Sequence, residues 1–100
     1  MKKENQLIIS QLAEEDLKDA KEFYNSKKEG LGDELVSEIE NTLKRIVDNP
    51  KQFPKVKKDI IKALTNRFSY GIFFVFKHYI INVLSIFHTS RNPDIWKKRK

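Results

Sequence analysis

The stretch GIFFVFKHYIINVLSIF, residues 71–87, decides the fold of this 100-residue chain. It is the most apolar run in the sequence, and one Lys-His pair and one Asn interrupt it. With these polar residues it is too short and too polar for a transmembrane helix, which needs about 20 apolar residues. Its content of Ile, Val and Phe is typical of strands. We therefore predict two buried strands, Ile72 to Lys77 and Ile80 to His88.

A third apolar segment, Ile60 to Phe68, precedes this stretch and extends the pattern to an antiparallel meander of three strands. In the middle strand, both alternating sets of side chains are apolar: Phe73 and Val75 point to one face, and Ile72, Phe74 and Phe76 to the other. Such a strand is expected to be covered on both faces.

The first half of the chain predicts two helices that can provide one of these covers. Gln6 to Ser10 is a short apolar strand that ends in a good helix N-cap, and a helix follows over about residues 12 to 28. Gly30-Leu31-Gly32 ends it, because glycine permits backbone angles that helices do not use. A second amphipathic helix then runs to Asn49-Pro50.

These elements predict one domain over residues 1–100 with the order β-α-α-β-β-β. The fold class is α+β, with two layers: an N-terminal helical hairpin packed on an antiparallel sheet. Pro50 to Lys58 is expected to be a basic connection, and Arg91 to Lys100 a cationic tail with a short helical turn against the sheet.

The composition excludes several classes of protein. Without cysteine the chain can form neither a disulfide nor a thiolate metal site, and two histidines are too few for a His-rich site. We predict no cofactor and no metal. The N-terminus leads into only three consecutive apolar residues, Leu7 to Ile9, which is far short of a secretion signal. We therefore expect a cytoplasmic protein that does not enter a membrane.

The net charge of +6 is divided unevenly along the chain. Residues 1–50 carry a balance of −4, whereas residues 51–100 carry +10, with Asp59 and Asp94 as their only acidic residues. This division predicts an acidic helical layer and a basic sheet that attracts nucleic acid or another acidic partner. The alternative is a basic protein whose charge serves solubility alone.

Four segments together resemble the RelE/ParE toxins, and the resemblance covers nearly the whole chain. Ser69 stands where many relatives have proline, which is a small departure. The segments are Ala13-Glu14-Glu15-Asp16-Leu17, Gly30-Leu31-Gly32 with Glu38 downstream, Arg67-Phe68-Ser69-Tyr70-Gly71-Ile72, and His88-Thr89-Ser90-Arg91-Asn92-Pro93-Asp94-Ile95-Trp96.

The resemblance implies the growth-arresting toxin of a type II toxin-antitoxin system. Such a toxin is neutralised by an antitoxin encoded beside it, in a hetero-oligomer in which a C-terminal segment of the antitoxin wraps the toxin. RelE-like members are ribosome-dependent mRNA interferases, whereas ParE-like members poison DNA gyrase and have no known hydrolytic chemistry. A shared fold does not decide between these targets.

RNA cleavage would require a proton acceptor, a proton donor and cations near the phosphate. His88, Arg67 and Arg91 are the candidate catalytic residues, because the meander can bring them to one edge of the sheet. Histidine carries protons near neutral pH, and arginines clamp phosphates. The alternative is structural: Arg67 pairs with a helix carboxylate such as Glu38, and His88 caps its strand.

Other residues are candidates for binding nucleic acid or the target. Tyr70 could stack on a base or donate a proton, and Trp96 could stack on nucleic acid. The alternative is that Tyr70 belongs to the core and that Trp96 anchors the tail. The basic residues Lys97, Lys98, Arg99 and Lys100 are expected to seek phosphate. Lys55, Lys57 and Lys58 either extend this basic surface or are ordinary loop lysines.

Three functions remain open. In the first, His88, Arg67 and Arg91 promote cleavage of mRNA on the ribosome. In the second, the basic sheet and tail bind gyrase or its DNA without chemistry. In the third, a degenerate toxin homologue binds only its antitoxin or nucleic acid.

Overall fold

Two helices lie on one face of a five-stranded mixed sheet in residues 4–91, which are the residues that the computed structural model describes. The predicted turn of the tail and the candidates Trp96, Lys97, Lys98, Arg99 and Lys100 lie outside the described residues. In chain order the elements are β1 (Gln6–Ile9), α1 (Gln11–Lys27), α2 (Leu31–Asp48), a 3-10 turn (Pro50–Gln52), β2 (Lys55–Lys57), β3 (Ile60–Leu64), β4 (Tyr70–Lys77) and β5 (Ile80–His88).

The strands are arranged in the order β1-β5-β4-β3-β2. Strands β3 to β5 form the predicted antiparallel meander, β2 adds to β3 in the antiparallel direction, and β1 adds to β5 in the parallel direction. The parallel pairing arises because α1 and α2 carry the chain across the sheet between β1 and the meander. The α+β class and the helical hairpin are confirmed, and the sheet is mixed because of β1.

Strand β2 lies within the segment that was predicted to be a connection. Lys55, Val56 and Lys57 are all exposed, so this edge strand lacks the half-buried alternation by which strands are recognised. Its backbone pairs with β3 in an irregular register, with Lys55 opposite Ile61 and Lys57 opposite Ile60. Its short length, lysines and irregular register suit an exposed sheet edge.

The two faces of the sheet carry apolar clusters of unequal size. The larger cluster lies between the sheet and the helices and includes Leu35, Ile39, Ile72, Phe74 and others. The smaller one lies on the face away from the helices, called here the outer face. It contains Ile60, Phe73 and Phe87, all buried, with Val75 and Leu84 packed against them. The middle strand is therefore apolar on both sides, as its sequence predicts.

The helical hairpin depends on two glycines that have different roles. Gly30 precedes α2 with φ of +85°, a backbone angle that favours glycine. Gly32 lies inside α2, where the helices approach closely: its N–H donates to Asn25 Oδ1 at 2.7 Å. A Cβ at position 32 would lie 2.1 Å from the Lys21 carbonyl oxygen. Glycine is therefore required at this crossing.

We predict that Gly32→Ala destabilises the protein, although alanine is a better helix former than glycine by about 1 kcal/mol. The added methyl must push α1 and α2 apart, and overpacking of this kind costs about 1–3 kcal/mol. Urea denaturation of the variant and of Ser37→Ala, an exposed position on the same helix, provides the measurement. A Gly32→Ala protein at least as stable as the parent would contradict the close approach.

Candidate functional site

The candidate residues meet where β4 begins and β5 ends. Tyr70 lies directly opposite His88 in the antiparallel ladder. The Thr89 N–H donates to the Ser69 carbonyl at 2.8 Å, and the Arg91 N–H donates to the His88 carbonyl at 3.0 Å. These bonds fix the two chain segments beside each other.

His88 is held by the turn that follows it. The Ser90 N–H donates to His88 Nδ1 at 3.1 Å, and Ser90 Oγ lies 2.8 Å from the same nitrogen. Because a backbone N–H can only donate, Nδ1 is the acceptor, and the neutral ring carries its proton on Nε2. The ring also packs edge-on against Tyr70, with 5.6 Å between centroids. His88 thus keeps only Nε2 for an external group.

Tyr70 is a buried residue on the helix-facing side of the sheet. Its ring packs against Tyr24 of α1, and its side chain is 7% exposed. Burial is the main cause that raises the pKa of Tyr70 to about 12, with the Tyr24 phenol acting in the same direction and Arg91 in the opposite one. A phenol with this pKa is fully protonated at neutral pH.

We predict that this pKa makes stability fall in strong alkali. The pKa of Tyr70 in the folded chain lies above the usual 10.0, so the folded state holds the proton more tightly than the unfolded state. This contribution to stability is complete below about pH 10 and is lost as the pH rises towards about 12. Denaturation midpoints measured over this range should fall more in the parent than in Tyr70→Phe. Parallel curves for the two proteins would contradict the prediction.

Arg67 is directed towards the helices. Its guanidinium lies 3.2 Å from Glu34 of α2 and 4.8 Å from the Phe68 ring centroid. The Arg67 N–H donates to Glu38 Oε1 at 3.2 Å, and the Asn66 N–H donates to the same oxygen at 2.8 Å. The carboxylates of α2 therefore engage both the side chain and the backbone of Arg67.

Arg91 instead belongs to a cleft on the outer face, called here the outer cleft. The Arg91 guanidinium lies 5.1 Å from the Phe87 ring centroid, and Lys62 Nζ lies 5.9 Å from that of Phe73. Both are cation–π contacts. The cleft encloses about 140 Å³ and is lined by Val56, Lys62, Phe73, Phe87, His88, Thr89 and Arg91.

The lysines of the β2 segment lie beside this cleft. Lys57 is opposite Ile60, a member of the outer-face cluster, and its neighbour Val56 lines the outer cleft. Lys58 follows in the turn with φ of +50°. All three residues Lys55, Lys57 and Lys58 are exposed. The structure thus places Arg91 and Lys57 near the outer cleft and Arg67 and Tyr70 on the helix side, whereas His88 packs against Tyr70 and also lines the outer cleft.

Lys62 and the two phenylalanines of the outer cleft were absent from the candidates taken from the sequence. A signal for Lys62 was available: Ile61 and Ala63 face the helices, so the residue between them must point to the outer face. Phe73 and Phe87 were recognised only as strand residues, because an apolar residue in a strand gives no sign of lining a cleft.

A larger cavity of about 730 Å³ lies on the helix side, between α1 and the end of β5. We call it the α1 groove. It is lined by three acidic residues, by aromatic residues and by the last residues of β5. The lining consists of Glu15, Asp16, Asp19, Ala20, Phe23, Tyr24, Tyr70, Ile86, Phe87, His88, Ser90 and Arg91.

Residues 4–91 contain no group of three His, Asp or Glu side chains placed to hold a metal ion. Neither of the helices described is long and apolar enough to cross a membrane.

Comparisons with known proteins identify a family and a similar fold. Residues 7–93 match the family model of the ParE toxin of the type II toxin-antitoxin system parDE. A chain from the chromosomal ParDE toxin-antitoxin system of P. aeruginosa has a similar fold, with a TM-score of 0.75 and 18% sequence identity. The similarity covers 84% of this chain and 95% of that one. A comparison with curated protein sequences finds no match.

Proposed function

The chain belongs to the ParE toxin family of type II toxin-antitoxin systems, and we propose that it arrests growth by binding DNA gyrase, without cleaving RNA. The binding surface in this proposal is the outer cleft with the neighbouring Lys57. Gyrase acts on chromosomal DNA, so the site of action is the cytoplasm.

The observation that supports this proposal is the composition of the outer cleft. Lys62 and Arg91 lie over the aromatic rings of Phe73 and Phe87, and no carboxylate lines the cleft among the described residues. Cations held on aromatic rings form a positively charged surface, which attracts an acidic protein surface or DNA phosphates. Such a surface favours binding and needs no chemical step.

The placement of the candidate catalytic residues supports binding over cleavage. Cleavage requires a proton acceptor and a proton donor on opposite sides of the phosphate. His88 offers one free nitrogen, and its other nitrogen is taken by Ser90. Arg67, which was expected to clamp the phosphate, is paired with Glu34 on the helix side. Tyr70 is buried and is held protonated by its high pKa.

Cleavage of ribosome-bound mRNA is the second candidate, and one observation favours it. His88 and Arg91 both line the outer cleft, so a proton carrier and a phosphate-binding cation lie together there. In this version His88 acts through Nε2, and the ribosome supplies the groups that the chain lacks.

We predict that Lys62→Glu and Arg91→Glu each lower inhibition of purified gyrase by about tenfold or more, because like charges at an interface cost several kcal/mol. Arg67→Ala, whose side chain is paired with Glu34 on the helix side, should retain inhibition and growth arrest. The measurements are gyrase supercoiling with purified proteins and growth after induced expression, with circular dichroism confirming that each variant is folded.

Mapping of mRNA ends on ribosomes separates the alternatives. If the parent cleaves mRNA, His88→Ala does not, and the parent leaves gyrase activity unchanged, then the protein is a nuclease and the proposal of gyrase inhibition is wrong. A parent protein that neither arrests growth nor affects either target would contradict both functions and leave the degenerate homologue.

A further inference from the structure

Strand β1 forms one edge of the sheet, and half of its backbone groups face away from β5. The Gln6 N–H donates to the Tyr79 carbonyl at 2.7 Å, and the Ser10 N–H donates to a carbonyl of β5 at 3.1 Å. Because the backbone groups of alternate residues point to the same side of a strand, those of Leu7 and Ile9 point away from β5. No described strand pairs with this side of β1. Leu7 and Ile9 therefore each offer a hydrogen-bond donor and an acceptor to another chain.

The two edges of the sheet differ in the features that prevent pairing with another chain. Edge strand β2 carries Lys55 and Lys57, and its register with β3 is irregular. Charges and irregularities of this kind keep other strands away from an exposed edge. Strand β1, with the sequence QLII, has neither a charge nor a proline, and its register with β5 is regular. The sheet is therefore protected at β2 and open at β1.

Ile8 adds an apolar side chain to this open edge. Its neighbours Leu7 and Ile9 pack against the core on the helix side, so Ile8 points to the outer face. The Ile8 side chain is 43% exposed there. An exposed isoleucine beside unpaired backbone groups favours the addition of a further strand.

The open edge of β1 is complementary to a second copy of itself. When two β1 strands run antiparallel with Ile8 opposite Ile8, Leu7 of each copy lies opposite Ile9 of the other copy. Both members of such a pair direct backbone groups to each other, so each of the two pairs exchanges two hydrogen bonds. The two Ile8 residues then face each other, with their Cα atoms about 4.5 Å apart. A register shifted by two residues keeps only one such pair within the strands.

The charges at this edge also suit a second copy. Residues Gln6 to Ile9 are all uncharged, although 34% of the residues in the chain are charged. In the register described, Gln6 lies opposite Ser10 of the second copy. No like charges meet along the paired strands, and like charges directly opposite each other would be destabilising.

We propose that the toxin forms a dimer in which the β1 strands of two copies pair antiparallel and join the two sheets into one. Because Ile8 of both copies then lies on the same face, the two outer faces, each with its outer cleft, lie on the same side of the joined sheet. Two strands of four residues bury little area compared with the about 1,200–2,000 Å² of stable complexes, so the dimer is weak. A target that binds two copies raises their local concentration and favours the pairing. The pairing itself does not depend on which target the toxin binds.

Sedimentation velocity of the full chain tests the pairing over about 10 μM to about 1 mM, where weak interfaces form. The average mass should rise from 11.9 kDa towards twice that value. Ile8→Lys should raise the dissociation constant about tenfold or more, because it places two like charges directly opposite each other. The matched control is Val56→Lys at the β2 edge, where the replaced side chain is 41% exposed. This control should stay within about twofold of the parent.

A mixture of two variants separates a lost contact from a folding defect. Ile8→Lys and Ile8→Glu should each be monomeric, and an equimolar mixture of the two should dimerise, because opposite charges then face each other. Circular dichroism checks that each variant is folded.

Hydrogen exchange identifies the strand that pairs. The Leu7 and Ile9 amides should exchange at least about threefold more slowly at the highest concentration than at the lowest, because pairing gives them acceptors. The amides of β2 should exchange at the same rate at both concentrations.

Three results would overturn the proposal: a chain that stays monomeric at the highest concentration, a dimer that Val56→Lys disrupts and Ile8→Lys does not, or a charge-paired mixture that stays monomeric. Protection of Leu7 and Ile9 that appears only when purified antitoxin is added would assign the edge to the antitoxin and would also overturn it. None of these measurements involves gyrase or the ribosome, so failure of the proposed target leaves them unaffected.

Discussion

The antiparallel ladder between β4 and β5 is the constraint on which the rest of the molecule depends. It joins Tyr70 to His88 at one end and Lys77 to Ile80 at the other, and an irregularity near Phe73 accommodates one extra residue in β5. Because both faces of β4 are apolar, the ladder is stable in water only when both faces are covered. The helical hairpin covers one face, and on the outer face Phe73 and Val75 pack with Ile60, Leu84 and Phe87.

At the Tyr70–His88 end of the ladder, the two faces of the sheet differ in chemistry, because successive side chains of a strand point to opposite faces. Tyr70 and His88 are paired and share contacts on the helix side, whereas Phe87, the neighbour of His88, points to the outer face. Carboxylates of α2 engage Arg67 on the helix side. On the outer face, Lys62 and Arg91 lie over the rings of Phe73 and Phe87. The acidic first half and the basic second half of the sequence therefore contribute to different faces of the sheet.

The architecture was predictable from the sequence, and the site was predictable only in part. Hydrophobic periodicity identified both helices and the strands β1, β3, β4 and β5, since each buries one face or two. Strand β2 gave no such signal, because Lys55 to Lys57 are all exposed and pair through the backbone alone. The direction of Arg67 depends on a loop and on carboxylates 29 and 33 residues away, contacts that periodicity does not encode.

The turn after β5 connects the two surfaces of the molecule. The Arg91 N–H donates to the His88 carbonyl, and the Ser90 N–H donates to the His88 ring, so hydrogen bonds tie the three residues together. His88 and Arg91 line both the α1 groove and the outer cleft. A molecule in the α1 groove would therefore contact the same two residues as a molecule in the outer cleft.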